Sequence, residues 1–288
     1  MAKHAYLIMA HNQWEQLELL LKCLDDARND IFLHIDRKAV GFPRKEIDMI
    51  CKSSRLFYTK QYDIRWGGTK MMICEMEMIR AAVKTGKYAY LHLISGVDLP
   101  IKSQDYIHDF CDDHIGYEFL AFDWKNIETG AFNYRCQYYH LFTNKIGRYS
   151  KKTLLQMVLK KINAVSLKIQ HKMKVDRLKG KTYYKGSQWF SITGDCAEYI
   201  LAHEREIEKR FRFCLNPDEG FIQTIIKESP EGLFRLAPGY MRYILWTKEE
   251  PSPDTLTMQH FKNMKESSEW FARKFDWGTD RKVFPLRV

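Results

Sequence analysis

"AYLIMAHNQWEQLELLLKCLDDARNDIFLHID" (5–36) is the stretch whose reading decides the fold class. Its two apolar runs, "AYLIMA" (5–10) and "DIFLHID" (30–36), are short and bounded, as buried strands are. The segment between them, "QWEQLELLLKCL" (13–24), reads as an apolar helix. The alternation continues outward. "RLFYT" (55–59) is a short third strand, and a helix begins near Thr69, where "MMICEMEMIRAAV" packs at helical spacing. "YAYLHLIS" (88–95) is the most apolar strand, and "QDYIHDFCDDH" (104–114) is a helix after the turn at Pro100. Strands alternating with helices in this way predict an α/β fold, a mostly parallel central sheet flanked by helices. Ligands of such sheets gather at the carboxyl ends of the strands. Those ends carry His11, Asp36 and the Ser95-Gly96-Val97-Asp98 turn. An acid at a strand end, such as Asp36, can bond a ribose hydroxyl or a base edge; the plainer alternative is a solvated acid in "HIDRKA".

Several function classes are excluded early. No GxGxxG follows the first strand and no GxxxxGK[ST] occurs, so dinucleotide and P-loop sites are not indicated. No apolar run approaches the roughly 20 residues of a membrane span. The N-terminal "MAKHAYLIMAHN" has one six-residue apolar run and no small-residue cleavage site, and reads as a strand, not a signal peptide. The seven cysteines (23, 51, 74, 111, 136, 196 and 214) are scattered, odd in number and without a CxxC pair. Neither a zinc site nor a disulfide framework follows, and a cytoplasmic location is expected. With 288 residues, 45% hydrophobic and 14% aromatic, the chain suits one folded domain. The chain is expected to divide near residue 125, into halves of residues 1–125 and 126–288.

The net charge of +10 is concentrated in one place. Between Lys145 and Lys185 stand 13 Lys or Arg and a single acid, Asp176, giving +12 there and −2 elsewhere. Within this segment Leu155, Val158, Ile162, Val165 and Ile169 are spaced by three and four, which predicts a basic amphipathic helical insertion at about 150–180. Three readings compete: a solvated face on a core-packed helix, attraction to anionic lipid, or nucleic acid. Nucleic acid is the weakest, for want of interleaved aromatics, a known module and basic charge elsewhere. Peripheral membrane contact through residues 151–179 is therefore the expectation, with no nucleic-acid partner.

The second half adds an aromatic strand, "GSQWFSIT" (186–193), a helix to about Arg210, and another strand, "MRYILW" (241–246). In "CLNPDEGFIQTII" (214–226) Asn216 suits an N-cap, Pro217 the first helical position, and Glu219 the carboxylate of a capping box. Asp218 and Glu219 would then complement a helix dipole. Near the C-terminus, Arg273 and Lys274 stand between Phe271 and Phe275, a basic pair between aromatics.

Taken in order, "AYLIMAHNQ", "HIDRKA", "RWGGTKMM", "LISGVDLPIKS", "GSQWF", "NPDEGFIQT" and "FARKFD" resemble the core-2/I-branching β-1,6-N-acetylglucosaminyltransferases, a family that includes peptide xylosyltransferases. The resemblance runs from about Ala5 to Asp276 and is loosest at about 124–185. It implies a GT-A-like nucleotide-diphospho-sugar transferase fold and an inverting, metal-independent transfer. Glu219 matches the catalytic base, which takes the proton of the attacking hydroxyl. His11 and Asp36 match the uridine contacts, and Asp98 lies at the same strand ends. Lys274 matches the lysine that holds the diphosphate in place of a metal. At the position of a helping arginine the chain has Asp254, a departure that leaves Arg242, Lys248 and Arg273 as candidates for the missing charge. Trp246 matches a tryptophan that stacks on the acceptor, and Arg135, Asp123 and Ser187 lie where the family contacts acceptor. No Asp-X-Asp pair follows the strand at 88–95, and Asp112-Asp113 falls inside a helix, poor geometry for a metal. No cofactor is expected.

The implied reaction moves a sugar, N-acetylglucosamine, from a UDP-sugar to a hydroxyl of a glycan acceptor, in bacterial surface-polysaccharide synthesis. A lipid-linked acceptor at the inner membrane would account for the basic helix. The alternatives are a xylosyl-, glucosyl- or galactosyltransferase of the same fold, or a non-catalytic sugar- or nucleic-acid-binding protein.

Overall fold

The computed structural model describes residues 3–147, 153–247 and 252–283. The opening stretch folds as β1 (His4–Ala10), α1 (Trp14–Leu24) and β2 (Asn29–Ile35). Leu17, Leu20, Leu21 and Leu24 put one face of α1 into the core, while Glu15 and Lys22 flank its ends. Both strands are buried along their whole length, which is why neither shows an in–out alternation. A short helix α2 (Arg44–Asp48) leads to β3 (Arg55–Tyr58), then α3 (Lys70–Thr85), β4 (Tyr90–Ser95), the two-residue β5 (Leu99–Pro100) and α4 (Gln104–Asp113). Ser103 caps α4 through a bond from the Tyr106 amide. β6 (Tyr117–Phe122) follows, and its place as a strand is not signalled by the alternation pattern.

The second half has three short helices, α5 (Trp124–Glu128), α6 (Tyr134–Gln137) and α7 (Thr143–Ile146), and then the long α8 (Leu154–Lys172). β7 (Gly186–Thr193) leads into α9 (Gly194–Ala202) and α10 (Glu204–Phe211), two helices where one was expected, broken at His203. α11 (Phe221–Lys227), β8 (Arg235–Leu236), β9 (Arg242–Ile244), α12 (Phe261–Glu266) and β10 (Phe271–Arg273) complete the order.

The central sheet has seven strands in the order β3-β2-β1-β4-β7-β6-β8. Only β7 runs against the others, pairing antiparallel with β4 and β6. The mostly parallel α/β sheet therefore stands as expected. It draws strands from both sides of residue 125, since β7 inserts between β4 and β6. Two apolar clusters cover its faces, one built on α3, α9 and α11, the other on α1, α4 and β10.

A second sheet of three strands, β5-β10-β9, packs beside the first. Arg242 joins the two. It is 3% exposed, and its guanidinium donates to the carbonyls of Leu93 on β4 (3.2 Å), Phe190 on β7 (2.7 Å) and Tyr240 (3.0 Å). Burial lowers its pKa to about 10, with Asp98 pulling the other way. Phe271 lies under the same guanidinium, 4.7 Å away. Replacing Arg242 with Met would keep the bulk and leave those carbonyls without their donor. The expected loss is about 2–4 kcal/mol of unfolding free energy in urea. A loss below about 1 kcal/mol would mean that Arg242 is not the clamp.

Candidate active site

The strand order turns back between β1 and β4, because β2 and β3 lie on one side of β1 and the later strands on the other. A cavity of about 1020 Å³ opens at the carboxyl ends of these strands. That is at the upper end of the roughly 300–1,000 Å³ typical of sites for drug-sized ligands, with room for more than one small molecule. His11, directly after β1, and Asp36, directly after β2, both line it. Asp36 is held by the Lys38 amide (2.8 Å), Lys38 Nζ (2.9 Å) and the Ile64 amide (3.2 Å). The surroundings of His11 lower its pKa by desolvation, which outweighs the opposing pull of Asp36.

The far wall carries Glu219. Its Oε2 accepts from Arg135 Nη1 at 2.6 Å, and the glutamate side chain is 25% exposed. Arg135 sits on α6 with its guanidinium 4.4 Å from the centre of the Phe132 ring. Burial alone would lower the arginine's pKa, but the charge of Glu219 more than offsets it. The helix-start reading of this stretch needs correction. Asn216 is left-handed (φ 49°) and makes no cap bond, Pro217–Glu219 form one 3-10 turn, and α11 begins only at Phe221. Glu219 is thus placed by a turn and by Arg135, not by a capping box. Gly220 fits this turn because a Cβ there would lie 2.4 Å from the Tyr183 ring.

Asp123 and Lys185 form a second pair on the same wall, at 3.0 Å. Burial works against the Asp123 carboxylate, yet bonds from Asn126 and Lys185 prevail and lower its pKa. Ser187, Gln188 and Trp189 of β7 supply the floor. The opposite rim comes from the small sheet. β10 ends at Arg273, and the Phe275 amide bonds to Val97 O at 2.9 Å, fixing Lys274 beside the end of β4. Lys274 Nζ donates to Ser252 Oγ at 2.5 Å. Arg273 lies 4.0 Å over the Trp189 ring; its Nε is 3.6 Å from Asp98 Oδ1, and Nη1 has no hydrogen-bond partner. Trp246, 57% exposed, stands at the mouth.

One cavity therefore brings together His11, Asp36, Asp123, Arg135, Ser187, Glu219, Trp246, Arg273 and Lys274. Asp98 and Arg242 are not in its lining. Asp98 is buried, accepting from the Ser95 amide (2.9 Å) and hydroxyl (2.6 Å), so it holds the strand-end turn and steadies Arg273. Arg242 is spent on backbone carbonyls, as described above. Asp254, at the departure from the family pattern, accepts from the Thr247 amide and hydroxyl, both at 2.7 Å. Lys248 lies outside the described residues.

Two buried acids stand behind the site, Glu75 outside the family motifs and Asp218 inside one but read there as a helix-start acid. Glu75 is fully buried and accepts from Gln188 Nε2 at 2.8 Å; burial, aided by Asp218, raises its pKa well above the carboxylate range. An acid flanked by Cys74 and Met76 within "MMICEMEM" is the signal that could have found it. Asp218 is 7% exposed with Oδ1 unpartnered, and burial, with the adjacent Glu219, raises its pKa to about 7.

The acids in the cavity lining are Asp36, Asp123 and Glu219, and each has its own cation, Lys38, Lys185 or Arg135. Among the described residues the cluster with metal-ligand spacing is elsewhere, at His4, His92 and Cys111 in the buried interior. The strand-end cavity, walled by a paired carboxylate on one side and fixed cations on the other, is the candidate active site, and the chain is a glycosyltransferase by its family. The chain belongs to the Core-2/I-Branching enzyme family, whose sequence model matches residues 4–267.

No curated protein matches the chain. Among the solved structures that resemble it loosely are the following three. TarS from S. aureus has a TM-score of 0.31 and 14% identity, covering 41% of this chain, which spans only 21% of TarS. Mouse xyloside xylosyltransferase 1, in the apo form, has a TM-score of 0.40 and 9% identity over 93% of this chain and 96% of that one. HddC from Yersinia pseudotuberculosis has a TM-score of 0.28 and 15% identity over 43% and 64%.

The Asp218 carboxyl makes a pH prediction. An unfolded aspartate ionises near 3.8, whereas the folded one holds its proton to about 7. The stabilisation from holding that proton is complete below the lower value and is lost as pH rises through the higher one. Asp218→Asn mimics the protonated form at every pH. In unfolding titrations the stability of the wild type relative to Asp218→Asn should fall across that window, by a few kcal/mol in all. A gap that does not change with pH would mean that Asp218 is ionised in the fold.

Proposed function

We propose that the protein is an inverting transferase that moves N-acetylglucosamine from a UDP-sugar to a hydroxyl of a glycan acceptor without a metal ion. The observation that carries this reading is that Glu219 and Lys274 line one cavity from opposite elements. Inversion needs a base on the acceptor side and positive charge on the leaving diphosphate, with the anomeric carbon between them. Glu219 takes the proton of the attacking hydroxyl. Its pairing with Arg135 fixes the carboxylate's position.

At the other end Lys274 and Arg273 meet the diphosphate. Arg273, with Nη1 unbonded and its guanidinium over Trp189, supplies the charge that Asp254 does not. His11 and Asp36 hold the uridine at the ends of β1 and β2. Trp246 offers its indole face to an acceptor ring at the mouth, flanked by Arg135, Asp123 and Ser187. Metal independence is supported by the lining itself, since each of its three carboxylates is already neutralised by a side chain of the protein. The setting we infer is bacterial surface-polysaccharide synthesis in the cytoplasm, on a lipid-linked acceptor reached at the membrane surface.

Glu219→Gln should lower kcat by about 10²–10⁴-fold while leaving UDP-sugar affinity unchanged. Full activity in that variant would assign the base elsewhere. In a thermal-shift screen, UDP-N-acetylglucosamine should raise Tm equally with and without EDTA. A shift abolished by EDTA would overturn the metal-free reading, and a larger shift with UDP-xylose, UDP-glucose or UDP-galactose would change the donor.

A further inference from the structure

Helix α8 carries an apolar stripe that the described fold leaves uncovered. The helix itself is well formed, since Thr153 and Gln156 close a capping box at its start. Its attachment to the body is polar. Asn163 Oδ1 accepts from the Leu141 amide at 2.7 Å, Gln170 Oε1 accepts from the Tyr139 amide at 2.7 Å, and Gln170 Nε2 donates to Tyr139 O at 3.1 Å. Leu155, Val158, Ile162, Val165 and Ile169 fall on a different side of the helix, and they are 65%, 44%, 46%, 56% and 53% exposed. Core-facing helices present the reverse arrangement. At about 100° per residue, Lys161, Lys168 and Lys172 run along one edge of this stripe. The helix contains no acid.

We propose that α8 docks the protein flat on an anionic lipid bilayer. No described helix is long and apolar enough to cross a membrane, so the stripe would lie in the interface and the lysines at headgroup level. Charge complementarity favours lipid over a second copy of this chain. Two such helices paired stripe to stripe in an antiparallel sense would set their lysine edges together, and in either sense the helix offers no acid to answer them. The segment that holds α8 also holds the site, because Tyr139 and Leu141 closely follow Arg135, the partner of Glu219. Docking therefore brings the acceptor wall of the cavity towards the bilayer. This last point rests on the proposed reaction; the docking does not.

The test is co-sedimentation with vesicles of phosphatidylcholine, alone or mixed with phosphatidylglycerol. The protein should pellet with the mixed vesicles and stay in solution with phosphatidylcholine alone. Ile162→Asp with Val165→Asp should lower the partition coefficient more than about a hundredfold. Lys161→Glu, Lys168→Glu and Lys172→Glu together should have a similar effect. All five side chains are exposed or at the edge, so both variants should keep the wild-type Tm and its shift with UDP-sugar. Failure of the wild type to pellet, or equal pelleting by the aspartate variant, overturns the proposal. So does a wild-type dimer in sedimentation velocity that the aspartate variant abolishes, which would give the stripe to a second copy. Because vesicle binding does not read transfer, it stands or falls apart from the choice of sugar and base.

Discussion

The buried guanidinium of Arg242 is the constraint on which the site depends. Two sheets meet at this protein's cavity, and the candidate site residues are divided between them. The large sheet and its following turns carry His11, Asp36, Arg135 and Glu219, while the small sheet carries Arg273 and Lys274. Sheets of two- and three-residue strands have little cohesion of their own. What fixes β9 and β10 against β4 and β7 is the set of bonds from Arg242 to Leu93, Phe190 and Ser191, with Phe271 packed beneath. A charge so buried is tolerated because carbonyl dipoles answer it on several sides and Asp98 lies near. The placement of Lys274 opposite Glu219 is a consequence of that packing.

The charges inside the cavity follow a second rule. Every lining carboxylate is paired with a cation of the chain, whereas the two acids just behind the lining, Glu75 and Asp218, are not. Burial pushes both of the latter towards the protonated form. A protonated Glu75 can still accept from Gln188, whose side chain reaches the cavity floor, so a neutral acid orients a neutral amide there. Glu219, paired with Arg135, thus stands next to a buried acid that its surroundings favour in the neutral form.

How much of this could be read from the chain depends on how local the cause was. β1, α1 and β2 were legible because a fully buried strand and an amphipathic helix leave unmistakable runs, here over seven, eleven and seven residues. β6 was not, since "YEFLAF" is half-exposed at both ends and carries Glu118, whose buried carboxyl is answered by Thr193 from β7. The Asn216 cap was misread for a related reason. Asn-Pro-Asp-Glu has the composition of a helix start, but the left-handed turn at Asn216 is set by its packing against Gly67, in a distant segment. The candidates Asp98 and Arg242 carried the right charge at the right strands, yet charge alone does not say whether a side chain faces ligand or core.

Helix α8 shows the same limit more sharply. Three- and four-residue spacing proves that a helix has an apolar side; it does not prove that the side faces the protein. Here the polar side makes the contacts, through amide side chains to the backbone of Tyr139 and Leu141. Hydrogen bonds of this kind specify where the helix sits without burying its stripe, and they leave the hydrophobic contribution to be gained only on association with something else. A globular chain that keeps such a surface solvated would be more prone to aggregate, unless like charges hold copies apart. The lysines along the stripe perform that service in solution, and they are the charges on which the proposed attraction to an anionic surface rests.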